Sequence, residues 1–174
     1  MKIVGLDPGY ATVGYGAVDH INTSFKLIDY GVITTAAKQP FERRLMKIAD
    51  ELTEILTRVK PEAVAIEKLY FTSNHKTVID VAQARGVITL AVTKADVPIF
   101  EYTPLQVKQS VVGYGRAEKH QVMEMTRIIL SLKEIPKPDD AADALAVAIC
   151  HAHSAGSRLG NMRYYYERTN PEGV

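Results

Sequence analysis

At 174 residues, 47% hydrophobic and 24% charged, the chain has the size and balance of one soluble globular domain, which excludes a disordered, fibrous or low-complexity protein. Lysine and arginine total 21 against 20 acidic residues, a formal charge of +1, so a nucleic-acid role must rest on local clusters rather than on overall charge. A single cysteine, Cys150, excludes an internal disulfide, and no apolar run is long enough to span a bilayer.

The opening MKIVGLDPG is broken by Asp7 and Pro8 before a signal-peptide core develops, so the chain reads as cytoplasmic, with no membrane partner. Lys2 to Leu6 is an apolar run closed by Asp7-Pro8-Gly9, the pattern of a buried strand ending in a sharp turn. Val13–Asp19 and Phe25–Thr34 follow with β-branched and aromatic enrichment, joined by the polar stretch from His20 to Ser24. Three such consecutive strands predict an antiparallel meander.

The period then changes. Phe41, Leu45, Ile48, Leu52, Ile55, Leu56 and Val59 recur at three- and four-residue spacings, the mark of an amphipathic helix. Ala63–Ile66, ending in Glu67, is the next compact strand, and after a helical crossover it is expected to lie parallel to an earlier one. From about Lys76 to Ala95 a helix with little polar face is predicted, and such a helix is buried on more than one side. Its surplus apolar surface predicts a two-fold dimer contact. Pro98–Tyr102 gives a fifth strand. Helices are expected near Leu105–Val112 and Ala117–Leu132, and from Asp139 or Asp140 toward Ser154. Residues 1–155 form one domain in this reading; the tail 156–174 has no clear period and is expected to be either disordered or a contact arm.

In open α/β sheets ligands bind beyond the carboxyl ends of strands, where Asp7 and Glu67 stand. Asp140 and Asp143, three residues apart, share one face of the last helix. If that face points at the strand ends, four carboxylates converge, and their mutual repulsion calls for compensating cations. Hard oxygen donors select magnesium, with manganese able to substitute. Two such ions about 4 Å apart suit in-line hydrolysis of a phosphodiester without a covalent intermediate. Taken singly, each residue has a plainer role: Asp7 in a turn, Glu67 solvated or paired with Lys68, and Asp139 or Asp140 as a helix cap after Pro138. Asp139, one position before Asp140, is expected to face away from the cluster. Cys150, His151 and His153 crowd a single helix, poor geometry for tetrahedral zinc, and are expected to serve packing instead.

GLDPG followed by VGYG (Gly5 to Gly9, Val13 to Gly16), AIEKLYF (Ala65 to Phe71), QARG (Gln83 to Gly86), QVKQSVVGYGRAEKHQV (Gln106 to Val122) and DAADALAVAI (Asp140 to Ile149) recur in the order of the motifs of the RuvC family, which the first 155 or so residues closely resemble. The resemblance implies a ribonuclease-H-like α/β fold, a five-stranded mixed sheet flanked by helices. It implies a homodimeric crossover junction endodeoxyribonuclease that cuts four-way DNA junctions by paired nicks in two strands of like polarity. The branch-migration helicase complex of RuvA and RuvB is the implied partner. On this sequence the family's catalytic and metal-binding carboxylates fall on Asp7, Glu67, Asp140 and Asp143. Its phosphate-contacting lysines fall on Lys108 and Lys119, and its aromatic position beside the branch point on Tyr70. A lysine suits phosphate as a point charge, and an aromatic ring can stack on an unpaired base.

Two related readings are a ribonuclease-H-like nuclease acting on RNA and a non-catalytic junction-binding module. The segment from Lys108 to His120 and the apolar helix favour the DNA junction over RNA, and the full set of carboxylates argues against a module without catalysis. Sugar-kinase and actin-type ATPases also open with an acidic strand end and a glycine-rich hairpin. They need a second phosphate-binding half, and the chain contains no second copy of the motif.

Overall fold

The structure, a computed structural model, describes residues 1–68 and 75–155, with side chains for all of these except 75–77. Five strands form one mixed sheet in which the first in chain order lies at the centre, the second and third follow on one side and the fourth and fifth on the other. The first is β1 (Lys2–Asp7), whose middle four residues are buried, as befits a central strand. It pairs antiparallel with β2 (Thr12–Ile21), which pairs antiparallel with β3 (Ser24–Thr34), giving the expected meander. The hairpin is tighter than the polar stretch from His20 to Ser24 suggested. His20 and Ile21 remain in the ladder and only Asn22 and Thr23 turn, because Asn22 accepts the positive φ of 57° that a two-residue turn requires. A bulge places Ile28 outside the ladder between Leu27 and Asp29, so the two halves of β3 present opposite alternations to the sheet faces.

The amphipathic period produces α1 (Phe41–Val59), which buries Ile48, Leu52, Ile55, Leu56 and Val59. Lys60 ends it in the left-handed conformation, donating its amide to the Leu56 carbonyl at 2.8 Å, and Pro61 prevents continuation. Arg44 is buried against expectation for its type. Its Nε donates to Thr35 Oγ1 at 2.8 Å and its guanidinium lies 4.4 Å from the centre of the Tyr10 ring, tying the loop after Asp7 to α1. The crossover delivers β4 (Ala63–Glu67) parallel to β1, and β5 (Ile99–Tyr102) lies parallel to β4.

Between β4 and β5 runs α2 (His75–Lys94), and after β5 come α3 (Pro104–Val112), α4 (Lys119–Ile129) and α5 (Asp139–Ala155). Thr103 and Gln106 cap α3 reciprocally, with Pro104 at its first position. The fourth helix is shorter than Ala117–Leu132. Ala117 is buried ahead of it, the Gln121 side chain accepts the Glu118 amide at 2.8 Å, and Ser131 turns left-handed beyond its end.

Two hydrophobic cores lie on opposite sheet faces. Val4, Leu6, Val13, Ile33, Val64 and Ile66 meet α1 and α2 on one side. Ile3, Val18 and Ala65 meet α5, flanked by α3 and α4, on the other. The outer side of α2 carries Ile79 and Leu90, 63% and 54% exposed, and Gly86, where an added methyl would meet open space. Apolar surface on this helix therefore exceeds what the sheet covers. Among the described residues no helix is long and apolar enough to cross a membrane.

Candidate active site

Asp7 is the last residue of β1 and pairs in register with Gly14 of β2, so it belongs to the sheet and not to the turn after it. Leu6 is level with Ile66 of the parallel neighbour, which sets Glu67 beside Asp7 at the carboxyl ends of two adjacent strands. Both carboxylates share the face of Ile3, Gly5 and Ala65, the face on which α5 rests, because strand side chains alternate. Lys68 leaves Glu67 alone; its ammonium is 3.9 Å from Glu101 and its amide binds the Tyr102 carbonyl.

Glycines set the height of α5. A methyl group at Gly14 would collide with the Asp140 carbonyl oxygen, one at Gly5 with that of Ala144, and one at Gly16 with the Leu145 side chain. Backbone therefore lies on backbone, and the first turn of α5 is held directly over the strand beside Asp7. The alternate glycines of Val-Gly-Tyr-Gly carried the signal for this seat: residues two apart face the same side of a strand, and lost side chains there invite close approach. That consequence emerges only when the helix is in place.

A cleft next to these strand ends is lined by Glu67, Pro104, Val107, Lys108, Lys119, Val122, Asp143 and Ala146. Lys119, the first residue of α4, reaches Asp143 at 3.0 Å and Asp139 at 3.3 Å. The expectation that Asp139 faces away is thus corrected. Asp139 and Asp143 are four residues apart, a spacing that also shares a helix face, and Lys119 draws them together. Asp139 remains the outer member, with 61% of its side chain exposed against 28% for Asp143. Tyr70 lies outside the described residues.

The electrostatics follow from crowding. Burial is the largest influence on Asp7 and raises its pKa from 3.8 to about 7, helped by the charges of Glu67, Asp143 and Asp140 and opposed by Lys119. Burial likewise raises Glu67, with Asp143 adding to it and Lys119 and Lys108 opposing. Asp143 is raised by burial even though Lys119 hydrogen-bonds to it. Burial pulls Lys119 down, but its bonds to Asp143 and Asp139 outweigh that and its pKa is raised. Asp7, Glu67, Asp140 and Asp143 therefore form one interacting set of oxygen donors, with excess negative charge that a single ammonium does not cancel. Among the described residues no three acidic, histidine or cysteine side chains stand in a ready-made metal cage. The donor chemistry nonetheless fits a hard divalent cation, whose charge would relieve the raised pKa values.

Cys150 and His151 are buried elsewhere on α5. Tyr102 shares a 2.8 Å hydrogen bond with His151 Nδ1, the ring of Phe100 is centred 4.3 Å from that of His151, and burial lowers the histidine to about 4. His153 instead turns to Ser110 and Phe25.

A family model described as crossover junction endodeoxyribonuclease RuvC matches residues 3–151. The chain is 53% identical over 166 residues to the crossover junction endodeoxyribonuclease RuvC of Ruminiclostridium cellulolyticum, covering 94% of this chain and 100% of that one. The corresponding protein of Clostridioides difficile is 55% identical over 154 residues, 88% of this chain and 91% of the other. The fold is similar to solved Thermus thermophilus RuvC, with a TM-score of 0.83 and 38% identity over 90% of this chain and 96% of that one. A structure of T. thermophilus RuvC in complex with Holliday junction substrate matches with the same TM-score and coverages at 36% identity.

Proposed function

Because the chain belongs to the RuvC family of crossover junction endodeoxyribonucleases, we propose that it resolves Holliday junctions in DNA recombination and repair, nicking two strands of like polarity. The observation that carries this reading is the gathering of Asp7, Glu67, Asp140 and Asp143 at one end of the sheet, beside a cleft holding Lys108 and Lys119. Family cleavage is metal-dependent. In this reading the four carboxylates hold two magnesium ions, with manganese able to substitute. When bound, the ions supply an acidified water and neutralise charge on the phosphodiester.

The chain's own groups perform the remaining tasks. Asp7 gives up the proton that burial and its neighbours favour before it serves as a ligand. Lys119 exchanges Asp143 and Asp139 for a DNA phosphate, while Lys108 on the neighbouring helix orients the same strand across the cleft. Val107 and Val122 line the cleft with apolar surface and limit water beside the scissile bond. Tyr70 stacks on an unpaired base at the branch point.

The exposed stripe of Ile79, Ala82, Gly86 and Leu90 along α2 supports a two-fold homodimer, since residues at these spacings share a helix face and Gly86 permits close approach. Two equivalent sites then face two strands of like polarity. The branch-migration helicase complex of RuvA and RuvB is the proposed partner, and the cytoplasm the proposed compartment.

Incubation with a four-way junction and a matched linear duplex, with and without magnesium, tests the reading. Paired nicks in the junction alone, dependent on magnesium, are expected. Junction binding without nicks under every metal condition would replace the enzyme with a binding module. A monomer in sedimentation, both free at micromolar concentration and on the junction, would remove the dimer.

A further inference from the structure

The loop between α3 and α4 joins the helix carrying Lys108 to the helix opening at Lys119. It is firmly built. Gly113 closes α3 with φ of 95° and donates to the Gln109 carbonyl at 3.0 Å, Ala117 is buried, and the Gln121 side chain holds the Glu118 amide. From this frame two large side chains project into solvent, Tyr114 at 47% exposure and Arg116. Neither makes a hydrogen bond, ion pair or ring contact among the described residues. An exposed arginine is ordinary, but an aromatic and a guanidinium offered together by a braced loop, between two cleft lysines, are not accounted for by packing.

Charge points to the occupant. The segment 104–122 contains Lys108, Arg116 and Lys119 against Glu118 alone, a formal +2, whereas the whole chain carries only +1. The remaining 155 residues therefore sum to about −1, so this segment is more basic than the rest of the chain taken together and attracts a polyanion beside the cleft. Arg116 precedes Lys119 by three residues, so their Cα atoms are at most about 11 Å apart, and a guanidinium at that distance reaches phosphates adjoining the one held by Lys119.

We infer that Tyr114 and Arg116 are a further DNA-binding element: the α3–α4 loop carries the phosphate track of Lys108 and Lys119 outward onto a duplex arm of the junction, with Arg116 pairing one phosphate and the Tyr114 hydroxyl donating to another. This rests on the junction-cutting reading. Arginine gives the salt-sensitive part of the contact, and the tyrosine hydroxyl a neutral hydrogen bond that releases no counterion.

The test is the dependence of junction affinity on salt, measured on the full chain with chelator so that no strand is cut. Arg116→Ala is expected to reduce the slope of log affinity against log salt by about 0.9, and Arg116→Lys to restore it. Tyr114→Phe is expected to weaken binding severalfold with the slope intact. Lys26→Ala is the control, removing an equal exposed charge near the opposite end of the sheet, and its slope should equal that of the unaltered protein. If the unaltered protein binds and cuts junctions but Arg116→Ala behaves as Lys26→Ala does, the loop contact is overturned and the junction reading stands. If the unaltered protein neither binds nor cuts junctions, both fall. Equal loss of slope in Arg116→Ala and Lys26→Ala would also overturn the contact, since it would reflect general charge alone.

Discussion

The two faces of the sheet are built on different rules. Toward α1 and α2, the strands present large aliphatic side chains that interlock with Ile48, Leu52, Ile55 and Leu56, so separation is set by side-chain volume. Toward α5, Gly5, Gly14 and Gly16 remove that volume and the helix answers with the small side chains of Ala144 and Ala148, so separation is set by backbone contact. The first face stores hydrophobic stability. The second fixes Asp140 and Asp143 relative to Asp7 and Glu67, with little side-chain freedom between them, and tolerates buried repulsion that the first face never meets.

The sharpest way to separate the two rules is to relieve the repulsion. Asp7→Asn and Glu67→Gln are each expected to reduce junction cleavage by about a thousandfold, about 4 kcal/mol in barrier, while junction binding persists. Asp7→Asn should also stabilise the fold. With a folded pKa near 7 against 3.8 for the free group, the native state holds its proton more tightly than the unfolded chain. Stability is therefore unaffected well below pH 3.8, declines as pH rises through the interval, and carries the full penalty above pH 7, up to about 4 kcal/mol. Thermal unfolding in chelator should show the variant more stable than the parent at pH 8 and equal to it near pH 3. Magnesium should raise the parent's melting temperature more than the variant's. A parent and variant that melt together at pH 8 in chelator would show that the site stores no such repulsion.

A pair of substitutions probes packing on each face. Gly14→Ala places a methyl against the Asp140 carbonyl, so α5 must lift; cleavage by the folded protein is expected to drop about a hundredfold. Ile48→Ala on the opposite face should cost about 2–5 kcal/mol of stability and leave cleavage by the folded fraction within severalfold. Denaturant titration beside single-turnover rates distinguishes these outcomes, and equal rate losses would mean that both faces position the site.

A smaller effect tests the far end of α5. His151 is lowered from 6.5 to about 4, so the unfolded chain takes up a proton first as pH falls, and up to about 3 kcal/mol is lost between pH 6.5 and 4. His151→Phe should flatten that acid limb while costing about 1 kcal/mol at pH 7 through the lost bond to the Tyr102 hydroxyl. An unchanged acid limb would assign the loss to other groups.

The smallest effect belongs to Asp139. Its ion pair with Lys119 is exposed, a class worth about 0–1 kcal/mol, and Asp143 still holds the lysine without it. Asp139→Asn should cut within severalfold of the parent rate with the same magnesium requirement, whereas Asp140→Asn and Asp143→Asn lose activity severely. Comparable losses in all three would make Asp139 part of the working set.

Local periodicity alone determined much of this protein. Alternation and apolar runs located five strands along the chain, three- and four-residue spacings located α1, the scarcity of polar residues gave α2 its surplus apolar surface, and the strand ends announced Asp7 and Glu67. These features depend on neighbours within a turn or a hairpin, so they are legible along the chain. Tertiary structure decided which residues met. That Gly14 lies beneath Asp140, that Lys119 takes both Asp139 and Asp143, and that Arg44 is buried against Tyr10 and Thr35 depend on elements distant in sequence arriving at one separation and rotation. A helical spacing says that Asp139 can share a face with Asp143 as readily as Asp140 can; the lysine brought by another helix decides what that face holds.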